Sequence, residues 1–139
     1  MLDLINVDRA DPANRAETQG QAMPLKWDHK LAVAALEHSN DMAAHHYFSH
    51  FTLAGESPVG RFYEAGVQWR AMAENIAKNR SVEQAQAAFM SEPRFKPNHR
   101  GNILNPEFNY VGIGIVHGAD GFLYITQDFA KEPVETARK

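Results

Sequence analysis

The hydrophobic pattern changes from a helical period to a strand period about two-thirds of the way along this 139-residue chain. Before residue 92 the main apolar positions recur at the i, i+3 and i+4 spacing of amphipathic helices. After residue 110 they alternate or are β-branched, which is typical of strands. Helices first and strands last, without a βαβ rhythm, predict an α+β fold in which helices cover an antiparallel sheet.

The first helix is predicted within residues 2–16. Its apolar side carries Leu2 and Ile5, and the opposite side carries Asp3, Asp8 and Arg9. The pattern fades in the polar stretch "NRAETQGQAMP", so we expect a loop there.

Three further helices have boundary signals. The longest is predicted over residues 29–48, after Asp28 as N-cap. A short helix is expected between Ser57, a second N-cap, and Gly66, which suits a helix end. The fourth begins at the capping box in "SVEQ" and ends before Pro93.

Strands are predicted in "YVGIGIVHG" and "GFLYITQDF", joined by a hairpin turn in "HGADG". A weaker third strand is predicted in "QWRAMAENIAK", which makes a central antiparallel sheet of about three strands. The tail at residues 131–139 is expected to fray. We expect one domain over residues 1–139 that acts as a monomer.

Composition excludes several classes of function. The net charge is −3 and the 14 Lys and Arg are scattered, so no nucleic-acid footprint is expected. No apolar run is long enough for a membrane span, and the N-terminus lacks the layout of a signal peptide. Without cysteine there are no disulfides, thiolate nucleophiles or Cys-ligated zinc, so stability must come from packing.

Four titratable residues lie at element boundaries, where functional sites tend to form: His50, Glu74, Glu92 and His99. Neutral imidazole and carboxylate are both zinc ligands, so the four could hold a divalent ion. Equally, the two carboxylates could accept the far N–H of each imidazole and orient it. Their spacing matches no short motif, and both alternatives stay open.

Each residue also has an ordinary structural explanation. His50 could cap the C-terminal end of the long helix, where its partial charge suits the helix dipole. Glu92 could be a solvated residue before a turn. In either case the residue would have no role in a site.

Other candidates have weaker support. His46 and His50 lie four apart, but "HYFSH" lacks the glutamate of H-E-x-x-H. No G-x-S-x-G elbow supports a serine hydrolase. His38 is expected to be a hydrogen-bonded core residue. Core and rim packing is expected of the aromatic residues Phe48, Phe51, Phe62, Tyr63 and Trp69.

Several strings resemble the bacterial branch of the CAP superfamily, the SCP-like domains related to cysteine-rich secretory proteins, venom allergens and plant pathogenesis-related proteins. They include "LKWDHKLAVAALEHSNDMAAHHYFSH", "GESPVGRFYEAG", "AENIA", "FMSEP" and "NHRGNIL", in family order over nearly the whole chain. The resemblance implies an α-β-α sandwich with a large central cleft lined by two His and two Glu. By motif these fall on His50, Glu74, Glu92 and His99.

Four departures from the family pattern are informative. Ala73 stands where glycine is common before "ENIA", and Phe89 stands where tryptophan is common. Many bacterial relatives lack a glutamate at Glu92, so its presence makes the full tetrad possible. The cysteines of eukaryotic relatives are absent.

The resemblance implies an exported protein, secreted or in the cell envelope, with an unknown extracellular ligand that is a lipid, a peptide or a glycan. We favour a binding module in which His50 and His99 hold Zn²⁺ or another divalent cation, with Glu74 and Glu92 as ligands or orienting groups. One alternative is a hydrolase of peptides or glycans with Glu74 or Glu92 as general base. The other is a lipid- or sterol-binding protein with a groove near Met72, Phe62 and Met90.

Overall fold

A computed structural model describes residues 1–133 and contains one four-stranded sheet with the order β1-β3-β4-β2. The strands are β1 (Lys26–Trp27), β2 (Ala71–Asn79), β3 (Tyr110–His117) and β4 (Leu123–Lys131). β4 pairs antiparallel with both β2 and β3, which confirms the three expected strands and the hairpin. The fourth strand, β1, pairs parallel with β3 and is too short to show a period in the sequence.

Within residues 1–133, six helices and one 3-10 turn surround this sheet. They are α1 (Leu2–Ala10), the 3-10 turn Pro12–Asn14, α2 (Arg15–Thr18), α3 (His29–His45), α4 (Pro58–Ala65), α5 (Val82–Met90) and α6 (His99–Leu104). The expected N-caps of α3, α4 and α5 are confirmed, because the side chains of Asp28, Ser57 and Ser81 each accept a backbone N–H from the first turn. Gly66 ends α4 with a φ of 80°.

Several helix boundaries differ from the expected ones. The first helix ends at Ala10, because Asp11 and Pro12 begin a separate 3-10 turn. α3 ends at His45 rather than Phe48, since His46 adopts a left-handed conformation with φ 57°. α6 was not predicted; its N-cap Asn98 accepts the N–H of Gly101 at 2.8 Å.

Two further expectations need correction. Arg9 does not lie on a solvated face: it is buried beside Ile5, and its guanidinium donates to the carbonyls of Met23, Ile103, Asn105 and Phe108. Burial lowers the pKa of Arg9 to about 10. Lys131, the first residue of the expected tail, is the last residue of β4; residues 134–139 of that tail lie outside the described part of the chain.

Helices cover both faces of the sheet, as in an α-β-α sandwich. On one face α1, α5 and α6 pack against alternate residues of β4, Ile125 and Phe129. On the other face Leu31 of α3 and Phe62 of α4 pack against Ala130. Across residues 1–133, no helix combines the length and the apolar character that a membrane crossing requires.

Candidate functional site

His50 and Glu74 form the first of two imidazole–carboxylate pairs. His50 lies in a bend five residues after the end of α3, so it does not cap that helix. Its Nδ1 lies 2.9 Å from Oε1 of Glu74, which projects from β2 and is buried. Because the carboxylate can only accept, Nδ1 carries the proton and donates it to Glu74.

Arg61 of α4 fixes this pair in place. Its Nη1 donates to Oε2 of Glu74 at 2.7 Å and its Nη2 to Oε1 at 2.9 Å, a bidentate ion pair. Nη2 also donates to the carbonyl of His50 at 2.7 Å. Arg61 therefore holds both the glutamate and the backbone that carries the imidazole.

Asp128 lies under Glu74, at the paired position on β4. Its side chain is fully buried, and neither carboxylate oxygen has a hydrogen-bond donor among residues 1–133. Burial and the adjacent charge of Glu74 raise the pKa of Asp128 well above its ordinary value. A proton retained on Asp128 supplies the missing donor, which it directs at Glu74.

The pKa values of Glu74 and Asp128 are shifted in opposite directions. Burial alone would raise the pKa of Glu74, but hydrogen bonds from His50, Arg61 and Asp128 outweigh it and lower that pKa to about 2. The negative charge of these two carboxyls is therefore favoured on Glu74 and the proton on Asp128.

The second pair joins His99, the first residue of α6, to Glu92 in the loop after α5. Nδ1 of His99 lies 2.7 Å from Oε2 of Glu92, whose Oε1 accepts the backbone N–H of Arg100 at 3.1 Å. Phe89 stacks on the imidazole with ring centroids 4.7 Å apart and planes at 20°. Burial opposes ionisation of Glu92, but the bonds from His99 and Arg100 lower its pKa overall.

Neighbouring residues of the edge strand β2 connect to the two pairs. Glu74 bonds to His50 on the face covered by α3, and the amide of Asn75 donates to the carbonyl of His99 at 3.2 Å. Asn75 also bonds to Gln127 and to Asn102 of α6. This buried network of amide hydrogen bonds fixes the position of α6 relative to β2, and therefore the position of His99.

The contacts of the four predicted residues show what each could do chemically. Both oxygens of Glu74 and both of Glu92 are occupied by donors, so the carboxylates are placed to orient imidazoles. Nε2 of His50 and of His99 has no hydrogen-bond partner among residues 1–133. Within that range no group of three or more His, Asp or Glu is arranged to hold a metal ion. The donor chemistry thus fits an ion held by at most two imidazoles.

The structure confirms the core position expected of His38 and divides the expected aromatic residues between core and surface. His38 is a core residue, 1% exposed, with Nε2 2.8 Å from the carbonyl of Ser49. Of the aromatic residues, Phe62 is buried and Trp69 packs edge-on against it. Phe48, Phe51 and Tyr63 are exposed.

The three residues expected near a lipid groove do not share one. Phe62 and Met72 belong to the core under α3 and α4, whereas Met90 packs against the core on the other face of the sheet. The sheet therefore separates them.

Sequence reasoning missed Arg61 and Asp128. Arg61 is a cation that a short amphipathic helix would normally expose. The sequence does indicate that Asp128 is unusual, because an ionisable residue in a strand that is buried on both faces must be paired or neutral. Nothing local indicates that Glu74 is the partner of both.

The helix–sheet–helix arrangement with two imidazole–carboxylate pairs defines the class of the protein. The sequence profile of the Cysteine-rich secretory protein family (CAP) matches residues 2–129. The chain belongs to the CAP family.

Relatives and solved structures agree with this assignment. The chain is 36% identical to the uncharacterized protein YkwD of Bacillus subtilis (strain 168) over 73% of its own length and 38% of YkwD. It is 32% identical to the uncharacterized membrane protein YlbC of the same strain over 94% of its length and 33% of YlbC. The chain thus spans 38% of the length of YkwD and 33% of the length of YlbC.

The fold matches an extracellular protein containing a SCP domain from Bacillus anthracis str. Ames with a TM-score of 0.72 and 26% identity, over 95% of this chain and 40% of that one. It also matches venom allergen-like protein 4 of Schistosoma mansoni with a TM-score of 0.65 and 13% identity, over 99% of this chain and 92% of that one. The second likeness concerns the fold alone.

Proposed function

We propose that this CAP domain is a binding module that holds a divalent cation such as Zn²⁺ between His50 and His99 and presents it to an extracellular ligand. The observation that carries this proposal is the orientation of both rings. Each turns Nδ1 toward a carboxylate and leaves Nε2 without a partner among the described residues. That is the arrangement in which histidine usually binds zinc.

The residues divide into two roles. His50 and His99 supply nitrogen ligands, while Glu74 and Glu92 hold the Nδ1–H tautomer and make each ring a better donor. A bound cation would supply a Lewis-acidic centre for an oxygen or nitrogen of the ligand. With two protein ligands, the remaining positions are left to water or to that ligand.

This proposal sets a geometric requirement. Zn–N bonds measure about 2.0–2.1 Å, so one ion needs the two Nε2 atoms within about 4 Å of each other. The side chains of His50 and His99 are 42% and 35% exposed, which leaves both rings accessible to an ion from solvent.

Calorimetric titration with Zn²⁺ tests the proposal. We expect the wild type to bind one ion and the double variant His50→Ala/His99→Ala to bind none. The double variant His29→Ala/His117→Ala, which removes two exposed imidazoles outside the site, is the matched control. Equal zinc affinity in the wild type and in the His50→Ala/His99→Ala variant would contradict the proposal.

A second measurement addresses the orienting role of Glu92. The amide of Glu92→Gln can still accept a bond from His99 but carries no charge, so zinc affinity should fall about 10- to 100-fold. Because imidazole binds metal only when neutral, zinc affinity should also fall as the solution is made more acidic.

The two alternative functions have less support. A hydrolase would need Glu74 or Glu92 as general base, but the pKa of each is lowered, which makes both weak bases. Lipid carriage needs a continuous apolar groove, whereas Met72 and Met90 pack on opposite faces of the sheet. Loss of peptide or glycan cleavage in Glu74→Gln would support the hydrolase over the binding module.

We place this module outside the cell or in the cell envelope. The Bacillus anthracis neighbour is described as an extracellular protein, and the relative YlbC as a membrane protein. Detection of the full-length protein in culture medium or envelope fractions tests this placement, and recovery from the cytosol alone would contradict it.

A further inference from the structure

The outer edge of strand β3 is unpaired over most of its length. β1 reaches only as far as Val111, whose carbonyl accepts the N–H of Asp28 at 3.0 Å. Successive residues of a strand point their N–H and C=O groups to alternate sides, so those of Ile113, Ile115 and His117 point outward as those of Val111 do. In the part of the chain that the structure describes, no strand pairs with this edge beyond Val111.

This edge lacks the features that usually prevent edge strands from pairing. Its residues 112–117, "GIGIVH", include no proline, lysine, arginine or acidic residue, and they pair with β4 without a bulge. Ile115 is 39% exposed there. The opposite edge of the sheet differs, because residues 74–77 of β2 are buried. β3 therefore offers an accessible row of backbone donors and acceptors to a further strand.

Helix α3 carries an uncharged stripe above the same edge. Gly114 of β3 lies directly against the backbone of Leu36, which is 45% exposed. The residues at helical spacing around Leu36 carry no formal charge: His29, Ala32, Val33, Asn40 and Ala43. Glu37 and Asp41 instead face a cavity between α3 and α4. The stripe thus lies on the flank of α3 that points away from α4.

Two copies that join their β3 edges across a two-fold axis bring these stripes together. Paired strands lie about 4.8 Å apart. Since α3 packs on both β3 and β4, its axis is set back from β3 by about half of that spacing. The two α3 axes then lie about 10 Å apart, at the upper end of the packing distance between helices. Pairing the strands and packing the helices are therefore compatible in one arrangement.

The position of β1 limits how two β3 strands can pair. Asp28 follows β1 and occupies the place beside Gly112, and the turn that ends β3 begins at Gly118. If Gly118 of a second copy lay opposite Gly112, it would collide with Asp28. A two-fold axis at Val116 avoids this collision, because it places Gly118 opposite Gly114 of the other copy.

This register gives both layers of the contact a partner. The N–H and C=O of Ile115 pair with those of His117 of the second copy, and the two-fold axis repeats these bonds. In the helical layer Asn40 lies near the axis, since four helical residues rise about as far as two strand residues. Leu36 then lies opposite Ala43 of the second copy, a large side chain against a small one.

We propose that this protein forms a two-fold dimer in which β3 pairs with β3, and α3 packs on α3, of a second copy. The dimer replaces the monomer expected from the sequence. An extended peptide could pair with the edge but would leave the stripe uncovered, whereas a second copy covers both. The stripe also brings no like charges together, although each chain has a net charge of −3.

The size of the contact predicts a weak dimer. The 17 residues of α3 extend about 25 Å, and the helix and strand together are about 20 Å high. Each copy thus contributes about 500 Å², at the lower limit of specific interfaces. We expect a dissociation constant of about 10–100 µM. The two imidazole–carboxylate pairs lie at the opposite edge strand, β2, so the dimer does not depend on the proposed metal site.

Analytical ultracentrifugation of the full chain tests the dimer. From about 10 µM to about 1 mM protein, we expect the mean mass to rise toward twice that of one chain. EDTA is present throughout, so that no metal ion can link two copies through the proposed metal site. The mass of one chain at every concentration would contradict the proposal.

Leu36→Glu tests the helical layer. The buried carboxylates should raise the dissociation constant at least about tenfold. The control Val59→Glu introduces the same charge at a valine of α4 that is 52% exposed, and it should leave the constant unchanged. Circular dichroism establishes that both variants are folded. An equal effect in the two would reduce the result to net charge and overturn the proposal.

Cross-linking tests the register. The chain has no cysteine, so Val116→Cys introduces a single thiol at the two-fold axis. Opposed residues of an antiparallel pair that share no hydrogen bonds have Cα atoms about 4.5 Å apart, which a disulfide can span. Mild oxidation should link most Val116→Cys chains in pairs and few chains of the control Val59→Cys. Equal linking in both variants would show that the axis is not at Val116.

Amide hydrogen exchange tests the strand pairing. In a single chain the N–H groups of Ile115 and His117 face solvent, whereas those of Gly112 and Gly114 bond to β4. Between about 10 µM and about 1 mM protein, exchange at Ile115 and His117 should slow at least about threefold, with no change at the glycines. Unchanged rates in a sample that ultracentrifugation shows to be dimeric would mean that the β3 edges do not pair.

Discussion

Arg61 is the side chain on which the electrostatics of the His50–Glu74 pair depend. It neutralises Glu74, binds the carbonyl of His50, and lines the cavity between α3 and α4. Since Arg61 and Glu74 are both buried, removing one leaves the other as an unpaired charge in a site of low polarity.

Replacing Arg61 by methionine should therefore destabilise the protein strongly. We expect the free energy of unfolding to fall by about 3–5 kcal/mol, because the Glu74 carboxylate loses its bidentate partner. Urea denaturation at pH 7 measures this loss. The control Arg70→Met changes an exposed arginine that, among residues 1–133, hydrogen-bonds only through its backbone N–H, and it should cost less than about 1 kcal/mol. Similar losses in the two variants would refute the buried ion pair.

Some features of the site residues could be predicted from the sequence and others could not. His50, Glu74, Glu92 and His99 could be named because each lies at a boundary within a specific string. Their pairing could not be predicted from spacing, because His50 and Glu74 are 24 residues apart and are joined only when the loop after α3 folds over β2. The same is true of Asp128, which reaches Glu74 through strand pairing.

Among the elements, the packing of α3 on β3 sets the distance between the helical layer and the sheet. Gly112 and Gly114 face α3, and a Cβ at Gly112 would collide with the backbone of Leu31 and Ala32. At Gly114 it would collide with the backbone of Ala35 and Leu36. Backbone atoms cannot rotate away as a side chain can, so the helix lies directly on two glycines.

The variant Gly112→Ala should therefore be poorly folded, with a loss of at least about 3 kcal/mol of unfolding free energy. Gly60→Ala in α4 is the matched control, because its Cβ would meet only the flexible side chain of Glu56 at 3.3 Å and Ser57 Oγ at 3.6 Å. Alanine is a better helix former than glycine by about 0.5–1 kcal/mol, so the control should be neutral or slightly more stable. Thermal denaturation followed by circular dichroism compares them. A stable Gly112→Ala protein would mean that α3 is not seated on β3.

Over the whole molecule, buried carboxyl groups give stability an unusual dependence on pH. Burial and neighbouring carboxylates raise the pKa of Asp128 well above normal and that of Glu132, beside Asp28, to about 8. Between about pH 4 and these raised values, the folded protein holds protons that the unfolded chain has released. Stability from these groups is therefore lost as the pH rises.

Other groups act in the opposite direction at lower pH. Glu74 and Glu92 have lowered pKa values, so their stabilisation is lost as the pH falls below about 4.5. Burial lowers the pKa of His38, so it also favours folding less as the pH drops below about 6.5. Comparison with a variant is needed to isolate Asp128.

Asp128→Asn provides that comparison, since its amide can donate to Glu74 as the protonated carboxyl does but cannot ionise. As the pH rises above about 4, the variant should gain stability relative to the wild type by up to about 1.4 kcal/mol per pH unit, until Asp128 ionises in the folded wild type. Urea denaturation across this range measures the difference. Parallel profiles for the two proteins would show that Asp128 is not protonated in the folded state.

Local signals were sufficient for the helix starts at Asp28, Ser57 and Ser81, for the hairpin and for the α+β class, because caps, turns and periodicity act within a few residues. They were not sufficient for α6, whose six residues are too few for a period, nor for the two-residue strand β1. Arg9 was misplaced because its carbonyl partner on Ile103 lies 94 positions away. Contacts between distant segments depend on how the sheet and its two helical layers are stacked, and no local pattern carries that information.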